Sequence, residues 1–323
     1  MAQHIGRDIG VSRATLYRRF SLDARVMAQY PNRHKARASS ILRTRTTEED
    51  QEAWRQLSKL FREIEEWHAA VGGTHPVHAQ SPLGIADELS DPFQASHAVA
   101  YLRLTAVDHL HALRTLMQEA QSQHIFAPFS VIRSALESAS TALWILTDPD
   151  PRVIAVRSLK QEWVNLRELR HAYQTIGAPE KDLTARYQRF DAVIEKNRMR
   201  KDGITANPPG SLKMLQRACE AFELGSVPVL MWQMCSGATH GRNWITGFLT
   251  MMEARDDGVS KIVKGRLTSD AQAILLATYA ACDVVRRLFA VMQNRAKLEN
   301  HTGAAFQKAA PRLLVPTPGL YLP

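Results

Sequence analysis

Along most of this chain apolar residues recur in steps of three and four, the spacing that lines one face of an α-helix. The pattern is clearest from Phe126 to Leu146. There Phe129, Ile132, Leu136, Ala139, Leu143 and Leu146 form one stripe, and Val131, Ala135, Ser138, Ala142 and Ile145 keep the other faces small or apolar. A helix without a solvated face is expected in the middle of a bundle. Arg133 and Glu137, one turn apart, are its only charges.

Further helices are expected on both sides. Residues 47–71 open on an acidic, capping TEED and carry Trp54, Leu57, Phe61, Ile64, His68 and Val71 as the inward stripe. Residues 72–92, rich in Gly, Pro and Ser and containing His75 and His78, read as a loop. Pro92 suits the first turn of a helix reaching about Gln121, with Val99, Leu102, Ala106, His109 or Leu110, Leu113 and Met117 inward. Helices are also predicted over 152–176, 180–200, 211–224, 227–252 and 268–298, with a Gly/Pro loop at 202–211. No segment reads as a strand. The fold class is therefore all-α, a multi-helix bundle spanning 47–302, followed by a Pro-rich tail at 303–323.

Charge divides the chain where hydropathy does not. Residues 1–45 hold ten Arg or Lys against Asp8 and Asp23, which is nearly all of the net +9 of the 323-residue protein. A near-neutral body behind a strongly basic head points to a nucleic-acid-binding arm. Within that head, IGRDIGVSRATLYRRF (5–20) gives a short helix to Ile9, a Gly10 turn, a Ser12 N-cap and a basic second helix. That is a helix-turn-helix layout. Arg13, Thr15, Arg18 and Arg19 would face DNA, with Ile5, Ile9, Val11, Leu16 and Phe20 forming a small core. The stretch resembles the DNA-binding helix-turn-helix of the resolvase/invertase serine recombinases and, less closely, the tetracycline-repressor type. The resemblance implies DNA binding without strand exchange, since neither the first scaffold helix nor the recombinase catalytic domain is expected here. The arm (1–22) is thus a short, incomplete helix-turn-helix, joined to the body by a basic linker (23–46).

In the body, the Arg133/Glu137 pair invites a wider polar network, because burying an isolated ion pair is not stabilising by default. Asp108, His109 and, in CSGATHGRNW, His240 are the natural additional members; Gly237 and Gly241 would let a neighbouring helix approach His240. The body is similar to uncharacterised all-helical actinobacterial and mobile-element proteins in the style of the DUF5677 group. That resemblance rests on DHLHAL, PFSVIRSALESASTALWIL and WQMCSGATHGRNW, and implies architecture but no activity. Three roles compete for the cluster. It could be a metal-dependent hydrolase using Asp108, His109, Glu137 and His240. It could be a HEPN-like nuclease, for which Arg103–His109 and Arg295–His301 have the right spacing. The favoured role is a hydrogen-bond network locking helices together.

Cys219, Cys235 and Cys282 lie far apart, with no metal or disulfide spacing, as in a reducing cytoplasm. No cofactor, metal or membrane span is expected. The reading as a whole is a cytoplasmic DNA-binding accessory or regulatory protein, with a homodimer as the means of pairing two half-motifs, and more a binder than an enzyme.

Overall fold

The computed structural model describes residues 47–71, 76–179, 181–255 and 264–297. They form an all-α multi-helix bundle with one small sheet. The helices are α1 (Thr47–Val71), α2 (Pro82–Ser90), α3 (Ala95–Arg114, continued by a π-turn over Thr115–Glu119), α4 (Ala127–Leu146), α5 (Pro151–Ile176), α6 (Lys181–Lys196) and α7 (Lys201–Thr205). After them come α8 (Ser211–Phe222), α9 (Val227–Thr239), a 3₁₀ turn (Asn243–Ile245), α10 (Thr246–Leu249) and, after the sheet, α11 (Ala271–Ala296). The sheet is an antiparallel pair, β1 (Thr250–Arg255) with β2 (Lys264–Ser269), in register Thr250 opposite Ser269.

The helix predicted at the centre is α4. It packs on α3, α5, α8, α9 and α11, and Phe129, Ile132, Leu136, Ala139, Leu143 and Leu146 are all fully buried. One expectation fails in an informative way. The last five residues, Ala142–Leu146, are buried on every side, but the earlier turns keep a flank only half covered, carrying Arg133, Glu137 and Thr141. Those three residues are one helical line at i, i+4 and i+8. The polar pair therefore borders solvent.

Other departures have local causes. The stretch predicted as a loop at 72–92 contains α2, capped by Ser81, whose Oγ accepts from Gly84 N at 3.0 Å. Gly84 is required there, since a Cβ would lie 2.2 Å from the His78 carbonyl oxygen. Pro92 precedes α3 instead of opening it. The first α3 donors are met from α2, with Ala95 N bonding Ser90 Oγ at 3.2 Å and Ser96 N bonding Asp87 Oδ1 at 2.7 Å. The predicted helix 227–252 stops at Thr239, because Gly241 takes a left-handed φ of 63°. Chain beyond it turns back, and a Cβ on Gly237 would meet Ile245 Cγ2 at 2.5 Å. Gly237 thus admits the following turn, not a separate helix, and Gly241 makes the reversal. The sheet corrects the expectation of no strand: its two six-residue segments, TMMEAR and KGRLTS, carry no regular apolar alternation. His68, placed inward by spacing, is exposed, while Leu57, Phe61 and Ile64 of the same stripe are buried.

Among the described residues no helix is long and apolar enough to cross a membrane.

Candidate functional site

The structure brings Arg133, Glu137 and His240 together. Arg133, on the open flank of α4, donates to Glu137 Oε1 from Nε at 3.1 Å, with its terminal NH2 at 3.0 Å. Its other terminal nitrogen lies 3.1 Å from His240 Nε2. A guanidinium can only donate, so in this arrangement Nε2 accepts and the imidazole proton sits on Nδ1. His240 caps the C-terminus of α9, its backbone N–H bonded to Ser236 O at 3.1 Å.

A fourth member comes from α9. Trp232 Nε1 donates to Glu137 Oε1 at 3.1 Å, and the Arg133 guanidinium carbon stands 5.4 Å from the Trp232 ring centre. Seven residues on, Thr239 Oγ1 reaches Ser130 Oγ on α4 at 3.1 Å. Trp232 and Thr239 thus share the α9 face that docks on α4. Trp232 was not singled out from the sequence, although its spacing to Thr239 was the available signal.

Arg133, Glu137 and Trp232 line an open cleft of about 550 Å³ whose other side is the start of α8, from Gly210 to Lys213, together with Gln216. Gly210 supplies no side-chain cap to that helix. His240 and Lys213 are exposed, while Arg133 and Glu137 retain 19% and 30% of their side-chain surface. A lock in the hydrophobic interior would be drier than this.

The remaining predicted residues lie elsewhere. Asp108 is exposed and His109 half-buried on α3, and neither bonds to the three. Arg103, paired with His109 by HEPN-like spacing, is 3% exposed, with its guanidinium 5.3 Å from the Phe289 ring centre. Six residues of α-helix also turn the two side chains about 120° apart. His301 and the DNA-facing Arg13, Thr15, Arg18 and Arg19 lie outside the described residues, as does His75. His78 is spent in a turn, its Nδ1 accepting from Gln80 N at 3.2 Å.

Cys235 lies under the site on α9 but is fully buried, which pushes its thiol up to about 12 despite the opposing charge of Arg133. It is not a nucleophile. No family model, curated protein or solved structure matches this chain.

Proposed function

We propose that this protein is a DNA-binding accessory or regulatory protein, in which the basic head engages DNA and the helical body is the platform that carries it. The observation behind this reading is the charge asymmetry, ten basic against two acidic residues in 1–45 of a chain with net charge +9. Phosphate neutralisation by such a segment gives affinity that falls steeply with salt. Arg13, Thr15, Arg18 and Arg19 are the residues assigned to DNA, and pairing of two bodies would present two half-motifs. The test is duplex binding across a salt series by the full chain and by the Arg18→Ala/Arg19→Ala variant. The variant should bind more weakly and lose about two units of slope in log affinity against log salt. Unchanged affinity and slope would remove the assignment.

A second reading rests on a different observation, the contact of the exposed His240 with Arg133, whose guanidinium lines a solvent-open cleft. A guanidinium, the Lys213 ammonium and an imidazole suit an anionic ligand such as a phosphodiester, with His240 as the proton-transfer group. The metal-dependent alternative suits this place less well. Arg133 already donates to both Glu137 and His240, and its charge opposes a cation between them. If cleavage occurs, it is therefore of the metal-independent nuclease kind.

A further inference from the structure

We infer that Glu65, His68 and His111 form a binding site for a divalent transition-metal ion, with zinc the best match to two imidazoles and a carboxylate. Among the described residues they are the one set of three or more His, Cys, Asp or Glu side chains that brings ligand atoms within 4.8 Å of one another. Glu65 and His68 are three apart on α1, so they project from the same face. His111 faces them from the last turn of α3. The imidazoles of His68 and His111 stack, ring centres 3.7 Å apart and planes 7° from parallel. His111 Nε2 is 3.3 Å from Glu65 Oε2.

The hydrogen bonding of Glu65 Oε2 adds to this geometry. The atom is shielded from solvent and no hydrogen bond of good geometry reaches it, although the side chain as a whole keeps 46% of its surface. Arg114 Nε at 3.0 Å and His111 Nε2 at 3.3 Å approach it only as off-axis neighbours. A cation shared with the two imidazoles would give this shielded oxygen the aligned partner it lacks. Arg114 also pairs with Glu119 at 2.6 Å. With neutral imidazoles, Glu65, Arg114 and Glu119 together carry a net negative charge, which favours a cation there.

Tetrahedral ligands at about 2.0–2.1 Å from zinc lie about 3.3 Å from one another. The cluster needs to close by about 1.5 Å at its widest, which the exposed His68 side chain can supply by rotation. Three protein ligands leave a fourth position for water or an external group. The ion would pin α1, the helix that follows the basic head, to α3.

The test is zinc titration of the full chain by calorimetry at neutral pH, repeated on His68→Ala, Glu65→Gln and a His75→Ala/His78→Ala control. Cobalt substitution supplies a visible spectrum. Wild type should bind one equivalent and give the absorption of a tetrahedral cobalt site, and the His68 and Glu65 variants should each weaken binding at least tenfold. The control should match wild type. Because His68 is exposed, its variant tests the site without threatening the fold. Zinc affinity unchanged in the His68 variant, or no binding by wild type up to millimolar free zinc, would overturn the assignment.

Discussion

His240 and Glu137 are bonded to the same guanidinium but are placed for different work. Glu137 Oε1 receives Arg133 Nε, the Arg133 terminal nitrogen and Trp232 Nε1, all within 3.1 Å. A carboxylate oxygen so occupied anchors the guanidinium. His240 is exposed and makes one contact through Nε2. Replacing it by Ala should cost less than about 0.5 kcal/mol of stability, as exposed substitutions do. Under the nuclease reading the same change should lower cleavage of RNA or single-stranded DNA oligomers by about 10²-fold or more. Glu137→Ala should instead lower stability by about 1–3 kcal/mol, through loss of charge-assisted bonds in a half-buried place. Urea unfolding beside an oligonucleotide assay separates the two. Undetectable cleavage by wild type, or loss of fold in the His240 variant, would sink the nuclease reading. At this scale the sequence identified the Arg133/Glu137/His240 group because charges on an apolar helix and a His between two glycines are conspicuous. Trp232 and His111 were not, since an aromatic or a His at helical spacing looks like any core residue until the facing helix is known.

At the scale of elements, the cations that crowd one end of the bundle have a structural explanation. Arg157 on α5 donates to Trp144 O at 2.8 Å and to Thr147 Oγ1, closing the C-terminus of α4. Arg152 donates to Asn197 O at 2.9 Å and Arg198 O at 3.1 Å, just past α6, and Lys160 bonds to Gly203 O in α7. One helix thus offers three cations to the ends of three others, where carbonyls are left over and the dipole is negative. Their charge is consumed internally, although Arg152, Arg157, Lys160 and Arg217 line one cleft. Burial lowers the pKa of Arg157, with Asp148 working the other way and Arg217 adding to the effect. The carbonyl contacts are what hold it there. Arg157→Ala should therefore cost about 1–3 kcal/mol in urea unfolding, and a loss below about 0.5 kcal/mol would show that solvent caps α4 as well. This arrangement was illegible beforehand: helix positions follow from periodicity, but which helix end meets which side chain depends on packing. The break of α9 at Gly241 could have been read from the Gly-containing turn, whereas the β1–β2 pair offered only short segments without apolar alternation.

At the scale of the whole molecule, one hydrophobic core among the described residues runs from Leu57 to Ala296 and takes in all three cysteines. That centre was legible because α4 has apolar residues on nearly every face, which only a surrounded position satisfies. Burial of the thiols makes stability depend on alkaline pH. Desolvation, aided by Asp283 and Glu220, pushes Cys219 from 9.0 up to about 12; desolvation raises Cys235 to about 12; and burial raises Cys282 further still. Below pH 9 native and unfolded chains both keep these protons, and the groups contribute no pH dependence. From about pH 9 upward the unfolded chain releases thiol protons that the native state retains. Unfolding is thereby favoured by about 1.4 kcal/mol per pH unit for each cysteine. Between pH 9 and 12 the three together should steepen the alkaline fall in stability by up to about 4 kcal/mol per unit. A Cys219→Ala/Cys235→Ala/Cys282→Ala variant should be less stable at neutral pH, since each change opens a small cavity. It should also decline more gently with rising pH. Urea midpoints measured every half unit from pH 7 to 11 test this, and parallel alkaline limbs for the two proteins would show that the thiols reach solvent without unfolding.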